Sequence, residues 1–264
     1  MSGQRLKEKL RGGGRVFGLF FQYTTNPAVV DVLPASGLDF VVVTCEHNAL
    51  DLAEFFPIQY ALRTKGIACL ARIHSRDPED VAKACDVYDG VVIPYVEDIE
   101  LAKRLAAAAC YRPLKGEALE RVIKTGEWPS EASRQYCLDR CKHTFLAPMI
   151  ESVRSVQNLD AICQIPGIDA VFVGPNDMTV SMGIPEERDN PQFIQIIQTI
   201  IDTAGKHNIA AGVHFSKWEH TRRLIEQGGR FIPFGSDLSH IQQGVARFLS
   251  DAGAVSSAAA EKII

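Results

Sequence analysis

Eight short runs of apolar and β-branched residues alternate along this 264-residue chain with longer segments of helical period. Strands that are apolar on both faces and separated by helices indicate a parallel sheet with crossover connections. Eight such units in one domain predict an α/β fold of the (β/α)8 TIM barrel type, with eight parallel strands. The runs cover residues 16–22, 39–44, 67–72, 90–95, 144–151, 169–174, 209–214 and 230–235.

The segments between these runs have the composition and the start signals of helices. Several open with Asp, Ser or Pro, which are common at helix starts. An open doubly wound sheet is the alternative fold, but its glycine-rich fingerprint follows the first strand, whereas "RGGGRV" precedes strand 1 here. We expect one domain over residues 1–250 and a flexible tail over 251–264. The predicted helices are 27–36, 51–65, 78–86, 97–109, 153–164, 191–207, 217–228 and 238–250.

Residues 111–143 form the one long connection, after strand 4. We interpret this segment as a partly helical insertion over the barrel mouth, since long loops of that kind tend to be functional. Its "CLDRCKH" stretch holds two cysteines and one histidine, one ligand short of the usual zinc set. An ordinary amphipathic helix is therefore the favoured interpretation of that stretch.

Composition excludes several classes of function. The net charge of −4 gives no basic footprint for nucleic acid. No apolar run approaches the roughly 20 residues of a membrane helix, and the polar N-terminus lacks the apolar core of a signal peptide. We therefore expect a cytoplasmic protein without a nucleic-acid or membrane partner. Seven scattered cysteines indicate reduced thiols.

Ionisable residues follow most of the predicted strands, at the end where barrel enzymes carry their catalytic groups. Each alone has a simpler explanation: Asp237 and Ser152 fit helix caps, and His214 fits a buried core histidine. Together they predict one site at the carboxyl ends of the strands. The set comprises Glu46, His47, Arg72, Glu151, Asp177, His214 and Asp237.

The residue types in this set suit the enolisation of a 2-oxo acid. Glu151 and Asp177 offer oxygen ligands to Mg²⁺ or Mn²⁺. Arg72 offers a fixed cation for a keto oxygen or carboxylate, and His47 has the near-neutral pKa of a proton carrier. The metal and Arg72 would share the charge that develops on the keto oxygen.

Further substrate contacts are expected around the same point. Backbone N–H groups near Gly174 and Asn176 in "GPND" are candidates for holding a carboxylate. Glu46, His214 and Ser236, at the ends of three other strands, complete the predicted substrate-binding set. None of the eight runs contains lysine, which disfavours a Schiff-base mechanism.

Several motifs resemble the HpcH/HpaI aldolase family of the phosphoenolpyruvate/pyruvate barrel superfamily. They are "LDFVVVTCEHNALDL", "LARIHSRDP", "VVIPYVEDIELAKRLAAAACYRPL", "PMIESVRSVQNLDAICQIPGIDAVFVGPNDMTVSMGIP" and "GGRFIPFGSDLSHIQQGV". The similarity runs in order over almost the whole chain. It implies class II aldol chemistry on pyruvate, and a homo-oligomer, typically a hexamer, whose last helix is exchanged between neighbours.

By motif match, the resemblance implies a role for each of five residues. Glu151 and Asp177 become metal ligands, Arg72 the group on the pyruvate oxygens and His47 the base. Asp86, in "KACDVYDGVVIP", falls close to the acid that pairs with that histidine, at a spacing one residue short.

Two departures from the family pattern keep other functions open. Thr44 and Cys45 replace the Asp and Gly of "DGEH", and "YRPLKGEALERV" lacks the glycine-rich "RG" element. A divergent branch, the citrate synthases of siderophore clusters related to staphyloferrin B synthesis, condenses oxaloacetate with acetyl-CoA without metal. There Arg72 would bind oxaloacetate, with Glu151 and His47 in acid–base roles. A barrel that only binds or scaffolds is a third hypothesis, which the retained charged residues disfavour.

Overall fold

Each of the eight predicted apolar runs corresponds to a strand in the computed structural model, which describes residues 2–34 and 37–254. Seven of the strands are shorter than their runs because the ends of those runs belong to loops, and β8 is as long as its run but begins and ends one residue later. Their bounds are β1 Val16–Phe21, β2 Phe40–Thr44, β3 Ala68–Arg72, β4 Gly90–Ile93, β5 Phe145–Pro148, β6 Ala170–Val173, β7 Ala210–Val213 and β8 Phe231–Ser236.

All strand pairs are parallel, and the strands form a curled six-stranded sheet and a two-stranded sheet. The larger sheet has the order β5-β4-β3-β2-β1-β8, and β6 pairs with β7. Single bridges join the two sheets at both edges, between Met149 and Phe172 and between Phe215 and Phe234. The architecture is therefore a parallel α/β fold.

Helices occupy most of the connections. Two short 3-10 helices cover Pro27–Val32 and Leu52–Phe55. The α-helices are α1 Ser2–Arg11, α2 Phe56–Thr64, α3 Pro78–Val87, α4 Ile99–Cys110, α5 Gly116–Thr125, α6 Glu131–Cys141, α7 Val153–Gln157, α8 Leu159–Cys163, α9 Pro175–Ser181, α10 Pro191–Lys206, α11 Trp218–Glu226 and α12 Asp237–Asp251. No helix of the described residues is both long and apolar enough to cross a membrane.

Successive side chains of each strand point to opposite faces of the sheet, which divides the core into an inner and an outer layer. Phe40 and Val42 of β2 face the inside of the curl, whereas Val41 and Val43 pack with the residues of the helices. Aromatic rings fill the inside, with Phe40 stacked on Phe231 at 4.5 Å between ring centroids. Burial on both faces explains why the strands read as continuous apolar runs in the sequence.

Helix α1 was not predicted, and it covers the inner core at the amino ends of the strands. Its sequence is mostly polar and charged, but Leu6 and Leu10, four residues apart, are buried in the inner aromatic cluster. Lys7 is buried as well: its Nζ donates to Thr144 O at 2.8 Å and lies 3.2 Å from Asp169 Oδ2. The inner core is thus covered at this end.

The segment 111–143 forms α5 and α6, but the expectation that it lies over the mouth is wrong. It runs from the end of α4 to the start of β5, and such a connection lies at the amino ends of the strands. Arg112 Nη1 donates to Thr144 Oγ1, next to the first residue of β5, at 2.8 Å. Cys137 and Cys141 are buried on α6, as in an ordinary helix.

Two further predicted segments differ from the structure. Of residues 27–34, the described part of the predicted helix 27–36, only 27–32 are helical, as a 3-10 helix that Asn26 caps, and residues 35–36 lie outside the described part of the chain. The predicted tail begins within α12, which ends at Asp251, and residues 255–264 lie outside the described part of the chain.

Candidate active site

A cavity of about 380 Å³ opens at the carboxyl ends of the strands. Its lining combines aromatic rings with charged side chains, as in many small-molecule sites. Most of the predicted site residues meet here, while Glu46, Asp86 and Ser236 do not line it. The lining residues are Phe20, Gln22, His47, Arg72, Met149, Glu151, Phe172, Gly174, Pro175, Asn176, Asp177, Arg188, His214, Phe215, Ser216, Lys217 and His220.

Arg72 is the last residue of β3, and its guanidinium is held by the end of β2. Its Nε donates to Thr44 Oγ1 at 2.8 Å, and its Nη1 lies 3.2 Å from Glu46 Oε2. Burial lowers the pKa of Arg72, and the carboxylates of Glu46 and Glu151 oppose that shift. An arginine stays charged under such conditions, so this wall carries a fixed cation.

Glu151 follows β5 and is almost completely buried, with 4% of its surface exposed. Its Oε2 accepts a 2.8 Å hydrogen bond from the Tyr95 N–H, and Tyr95 has the uncommon positive φ of 54°. A Cβ at Gly174 would lie 2.2 Å from Glu151 Oε1, so only glycine leaves room for this carboxylate. The backbone N–H of Tyr95 and the absence of a Cβ at Gly174 therefore fix the position of the Glu151 carboxylate.

Burial raises the pKa of Glu151 from 4.5 to about 7. The hydrogen bond from Tyr95 opposes this shift, and the nearby carboxylates of Asp177 and Glu46 add to it. Glu151 therefore keeps its proton to a higher pH than an ordinary glutamate. A bound cation would favour its ionised form.

Asp177 lies in the first turn of α9 and is exposed to the cavity beside Glu151. No group of three or more Asp, Glu, His or Cys side chains is clustered for a metal ion in residues 2–34 and 37–254. The available donor set is therefore these two carboxylates. Mg²⁺ and Mn²⁺ accept such a set, because they bind one or two carboxylates and keep water or substrate as their other ligands.

Two of the three histidines of the cavity, His47 and His214, differ in their surroundings. His47 has a φ of 65°, its side chain is 67% exposed, and its Nε2 lies 3.8 Å from Glu46 Oε1. His214 packs on Phe20 with 4.5 Å between ring centroids, and burial lowers its pKa to about 4. His214 is therefore neutral at pH 7. Its Nε2 lies 3.1 Å from Gly235 O, an acceptor, so Nε2 carries the proton and Nδ1 can accept.

Three predicted site residues have other contacts. Asp86 lies on α3 and pairs with Arg112, at 3.0 Å, instead of His47, because the end of α3 lies near the amino ends of the strands. Ser236 caps α12, where its Oγ accepts from Ser239 N. Glu46 pairs with Arg72 and does not line the cavity. The structure therefore corrects the pairing predicted for Asp86 and places Ser236 and Glu46 outside the residues that line the cavity.

The sequence analysis missed several residues of the cavity, above all Arg188, Lys217 and His220. They lie in the connections that follow β6 and β7, beyond the strand ends on which the prediction rested. Arg188 is separated from β6 by the whole of α9. In a parallel α/β fold, every loop that follows a strand lies at the carboxyl ends of the strands. Only this rule could have indicated that these three residues lie near the site.

The sequence matches the HpcH/HpaI aldolase/citrate lyase family over residues 17–243. The chain belongs to the HpcH/HpaI aldolase/citrate lyase family. One relative, the 5-keto-4-deoxy-D-glucarate aldolase of Shigella sonnei (strain Ss046), is 30% identical over 215 residues, which are 81% of this chain and 83% of the relative.

Two solved structures share the fold of this HpcH/HpaI family protein. An HpcH/HpaI aldolase from Desulfitobacterium hafniense DCB-2 has a TM-score of 0.79 and 23% identity, covering 95% of this chain and 97% of that one. The citrate synthase SbnG has a TM-score of 0.75 and 24% identity, covering 94% and 96%. The predicted family is confirmed, and the protein is an enzyme of the HpcH/HpaI type, as the main and alternative hypotheses both stated.

Proposed function

We propose that this HpcH/HpaI family enzyme cleaves and forms 2-oxo-4-hydroxy acids by metal-assisted aldol chemistry through the enolate of pyruvate. The observation that carries the proposal is that the buried Glu151, the exposed Asp177 and Arg72 line one cavity. Two carboxylates opposite a fixed guanidinium suit a substrate that has a keto oxygen and a carboxylate side by side. The name of the Shigella sonnei relative supports this substrate class.

Glu151 and Asp177 would hold the divalent ion, Mg²⁺ or Mn²⁺. When bound, such an ion polarises a carbonyl oxygen and lowers the barrier to enolisation. The raised pKa of Glu151 supports the assignment, since this buried carboxylate has no cation within hydrogen-bond distance among the described residues and receives one backbone N–H.

Arg72 and the histidines would supply the remaining chemistry. Arg72, held at its Nε by Thr44 and at its Nη atoms by Glu46, would offer its remaining N–H groups to the keto oxygen, where negative charge develops. His47 is the base of this proposal, because it lines the cavity and its exposed ring can exchange a proton with water. His214 is neutral and would offer its Nδ1 to a substrate hydroxyl.

Citrate formation from oxaloacetate and acetyl-CoA is the second candidate. Without a metal ion, a Glu151 with a pKa of about 7 is suited to proton transfer at the acetyl group. A second, more apolar cavity of about 590 Å³ lies beside the ends of β2 and β3 and is lined by Cys45, Phe56, Lys83 and Tyr88, among others. It offers room for part of a coenzyme, and Cys45 is one of the departures from the family motif.

An assay on chelator-treated protein separates the two candidates. Citrate and free thiol are measured from oxaloacetate plus acetyl-CoA, and pyruvate release is measured from 2-oxo-4-hydroxy acids with and without Mg²⁺ or Mn²⁺. We expect pyruvate release only after metal is added. Citrate formation without metal would support the second candidate, and activity of Glu151→Gln in either assay would contradict both.

We further propose that the eight strands close into a (β/α)8 barrel. The bridges at both edges of the six-stranded sheet support closure, and so do hydrogen bonds from Ile150 N to Phe172 O at 2.7 Å and from Gly235 N to Phe215 O at 2.9 Å. A closed barrel has no exposed sheet edge.

The last helix supports the proposal of a homo-oligomer. Helix α12 exposes four large apolar side chains at spacings of three, four and three residues, which place them on one stripe. Such a stripe fits burial against another copy of the chain. The residues are Leu238, Ile241, Val245 and Phe248.

A further inference from the structure

We propose that the side-chain amide of Gln22 binds the oxygen atom of the aldehyde reactant, and that Asp237 positions Gln22 for this contact. The inference rests on the proposed aldolase function and adds a substrate-binding residue to it. Gln22 lines the same cavity as Arg72 and Glu151 but does not belong to the predicted set. Asp237 does belong to that set, yet it does not line the cavity and contacts the backbone of Gln22 instead.

Asp237 holds the chain that leaves β1. It follows β8 and is buried, with 8% of its surface exposed. Its Oδ1 accepts from Gln22 N at 3.1 Å, and its Oδ2 accepts from Tyr23 N at 3.0 Å and from Thr24 N at 2.8 Å. Hydrogen bonds from N–H groups to a carboxylate are stronger than those between neutral groups. One buried carboxylate therefore fixes three consecutive residues after β1.

Asn48 holds Gln22 at its carbonyl group. Asn48 Nδ2 donates to Gln22 O at 2.7 Å and to the O of Thr44, the last residue of β2, at 2.8 Å. Asn48 Oδ1 accepts from Leu50 N at 3.0 Å, which fixes the orientation of the amide. The backbone of Gln22 is thus joined to β8 through Asp237 and to β2 through Asn48. A side chain on a backbone held in this way binds a ligand with a smaller loss of conformational entropy.

The side-chain amide of Gln22 is available to a ligand. The residue is half-buried in the wall of the cavity. Its amide forms no hydrogen bond with any other residue among 2–34 and 37–254. A half-buried amide has lost part of its contact with water, so a polar atom of a ligand in the cavity would replace the missing hydrogen bonds.

Gln22 lies across the cavity from Glu151. With the bridges between the two sheets counted, β1, which precedes Gln22, is four strands from β5, which precedes Glu151, in either direction. On the β1 side, the Phe20 ring lies 5.4 Å from the guanidinium carbon of Arg72 and 4.5 Å from the ring of His214, between centroids. Pyruvate held at Arg72 and Glu151 would leave the space beside Gln22 and His214 to the second reactant.

The oxygen of an aldehyde fits an amide and a neutral imidazole. When the enolate carbon adds to the aldehyde carbon, this oxygen gains negative charge, and after protonation it is the 4-hydroxyl of the product. The N–H of Gln22 can donate to the oxygen in both states. The proton of the hydroxyl can point to His214 Nδ1, the acceptor of that ring. Gln22 transfers no proton and stabilises the charge on the oxygen.

The test separates enolisation from the chemistry of the aldehyde. Exchange of the C3 protons of pyruvate in D₂O needs no aldehyde, whereas metal-dependent cleavage of 4-hydroxy-2-oxopentanoate releases acetaldehyde. Gln22→Met removes the amide at nearly constant length. It should lower kcat/KM for cleavage by about tenfold, the loss of one hydrogen bond, and leave the exchange rate unchanged. Gln195→Met, at an exposed position of α10, is the matched control and should change neither rate.

Asp237→Asn tests the positioning role. Asparagine replaces one acceptor oxygen with an NH₂ group that cannot accept from the backbone, so Gln22 loses its position. Cleavage should slow by about tenfold while exchange is retained, and retained exchange shows that the rest of the site is folded. The double variant Asp237→Asn/Gln22→Met should cleave no more slowly than Gln22→Met, because both changes act on the same contact.

The outcomes separate this inference from the proposed function. A wild-type protein without metal-dependent cleavage overturns the aldolase proposal, and the inference with it. If the wild type cleaves the substrate and Gln22→Met cleaves it equally fast, or loses exchange and cleavage to the same extent, the inference alone is wrong. Losses that multiply in the double variant would overturn the positioning role of Asp237.

Discussion

Arg72 Nε lies 2.8 Å from Thr44 Oγ1, so a neutral hydroxyl, where the family motif has an aspartate, positions the guanidinium of this active site. Thr44 is fully buried, and the hydroxyl also accepts from Glu46 N at 3.1 Å. The end of β2 is thereby joined to the end of β3. Thr44 thus positions Arg72 without placing a negative charge beside it.

Thr44→Val should lower kcat/KM for aldol cleavage by about tenfold, since a buried Arg72 N–H without an acceptor costs about 1–3 kcal/mol. Valine has nearly the same shape, so the core should remain packed. Thr44→Ser keeps the hydroxyl and serves as the control, with kcat/KM close to that of the wild type. Equal activity of the valine and serine variants would show that Thr44 does not position Arg72.

Glu151→Gln should stabilise the protein above pH 7 while abolishing activity. Because the folded state holds this proton more tightly than the unfolded chain, ionising Glu151 destabilises the fold as pH rises from about 4.5 to above 7. A shift from 4.5 to about 7 corresponds to about 3 kcal/mol. Urea unfolding should show a gain for the variant at pH 8 and little gain at pH 5.

A bound metal ion should remove this difference in stability between the wild type and Glu151→Gln if Glu151 is a ligand. At pH 8, Mg²⁺ or Mn²⁺ should raise the free energy of unfolding of the wild type and have a much smaller effect on Glu151→Gln. An equal effect of the ion on both proteins would place the metal elsewhere.

His47→Gln should lower kcat by about a hundredfold or more, the usual contribution of a general base. The side chain is largely exposed, so thermal stability should stay within about 0.5 kcal/mol of the wild type. His214→Gln is the comparison, because His214 is not the base of this proposal, and its loss should lower kcat less than the loss of His47.

The strands and the main charged residues of the site could be predicted from the sequence for physical reasons. A parallel strand buried on both faces needs a continuous apolar run, and the first polar residue after it marks the end of the strand. Arg72 and Glu151 were found in this way. Helix α1 was missed because only Leu6 and Leu10 face the core, too short a pattern beside its many charges.

Other parts of the site depend on contacts that no local pattern contains. The position of Glu151 requires the N–H of Tyr95 and the missing Cβ of Gly174, which lie on different connections. Asp86 was assigned by motif position, but it is exposed and meets Arg112. Arg188 lies beyond α9, where only the three-dimensional path of the chain brings it back to the cavity.

The apolar stripe of α12 predicts a change in assembly on substitution. Ile241→Glu combined with Phe248→Glu should shift the protein toward smaller species in light scattering, since two charges would replace two exposed apolar contacts. Gln242→Glu and Arg247→Glu, also on α12, form the control pair. If the double variant Ile241→Glu/Phe248→Glu has the same molar mass in solution as the wild type, this stripe is not an interface.

Exchange of the C3 protons of pyruvate tests the central claim most directly, because it reports enolisation without any aldehyde. Pyruvate in D₂O is followed by proton NMR with wild-type protein, with and without Mg²⁺ or Mn²⁺, and with Glu151→Gln as the control. We expect the methyl signal to disappear only with metal-loaded wild type. A signal that persists with the metal-loaded wild type, or exchange that is unaffected by chelator and by Glu151→Gln, would contradict metal-assisted enolisation at this site.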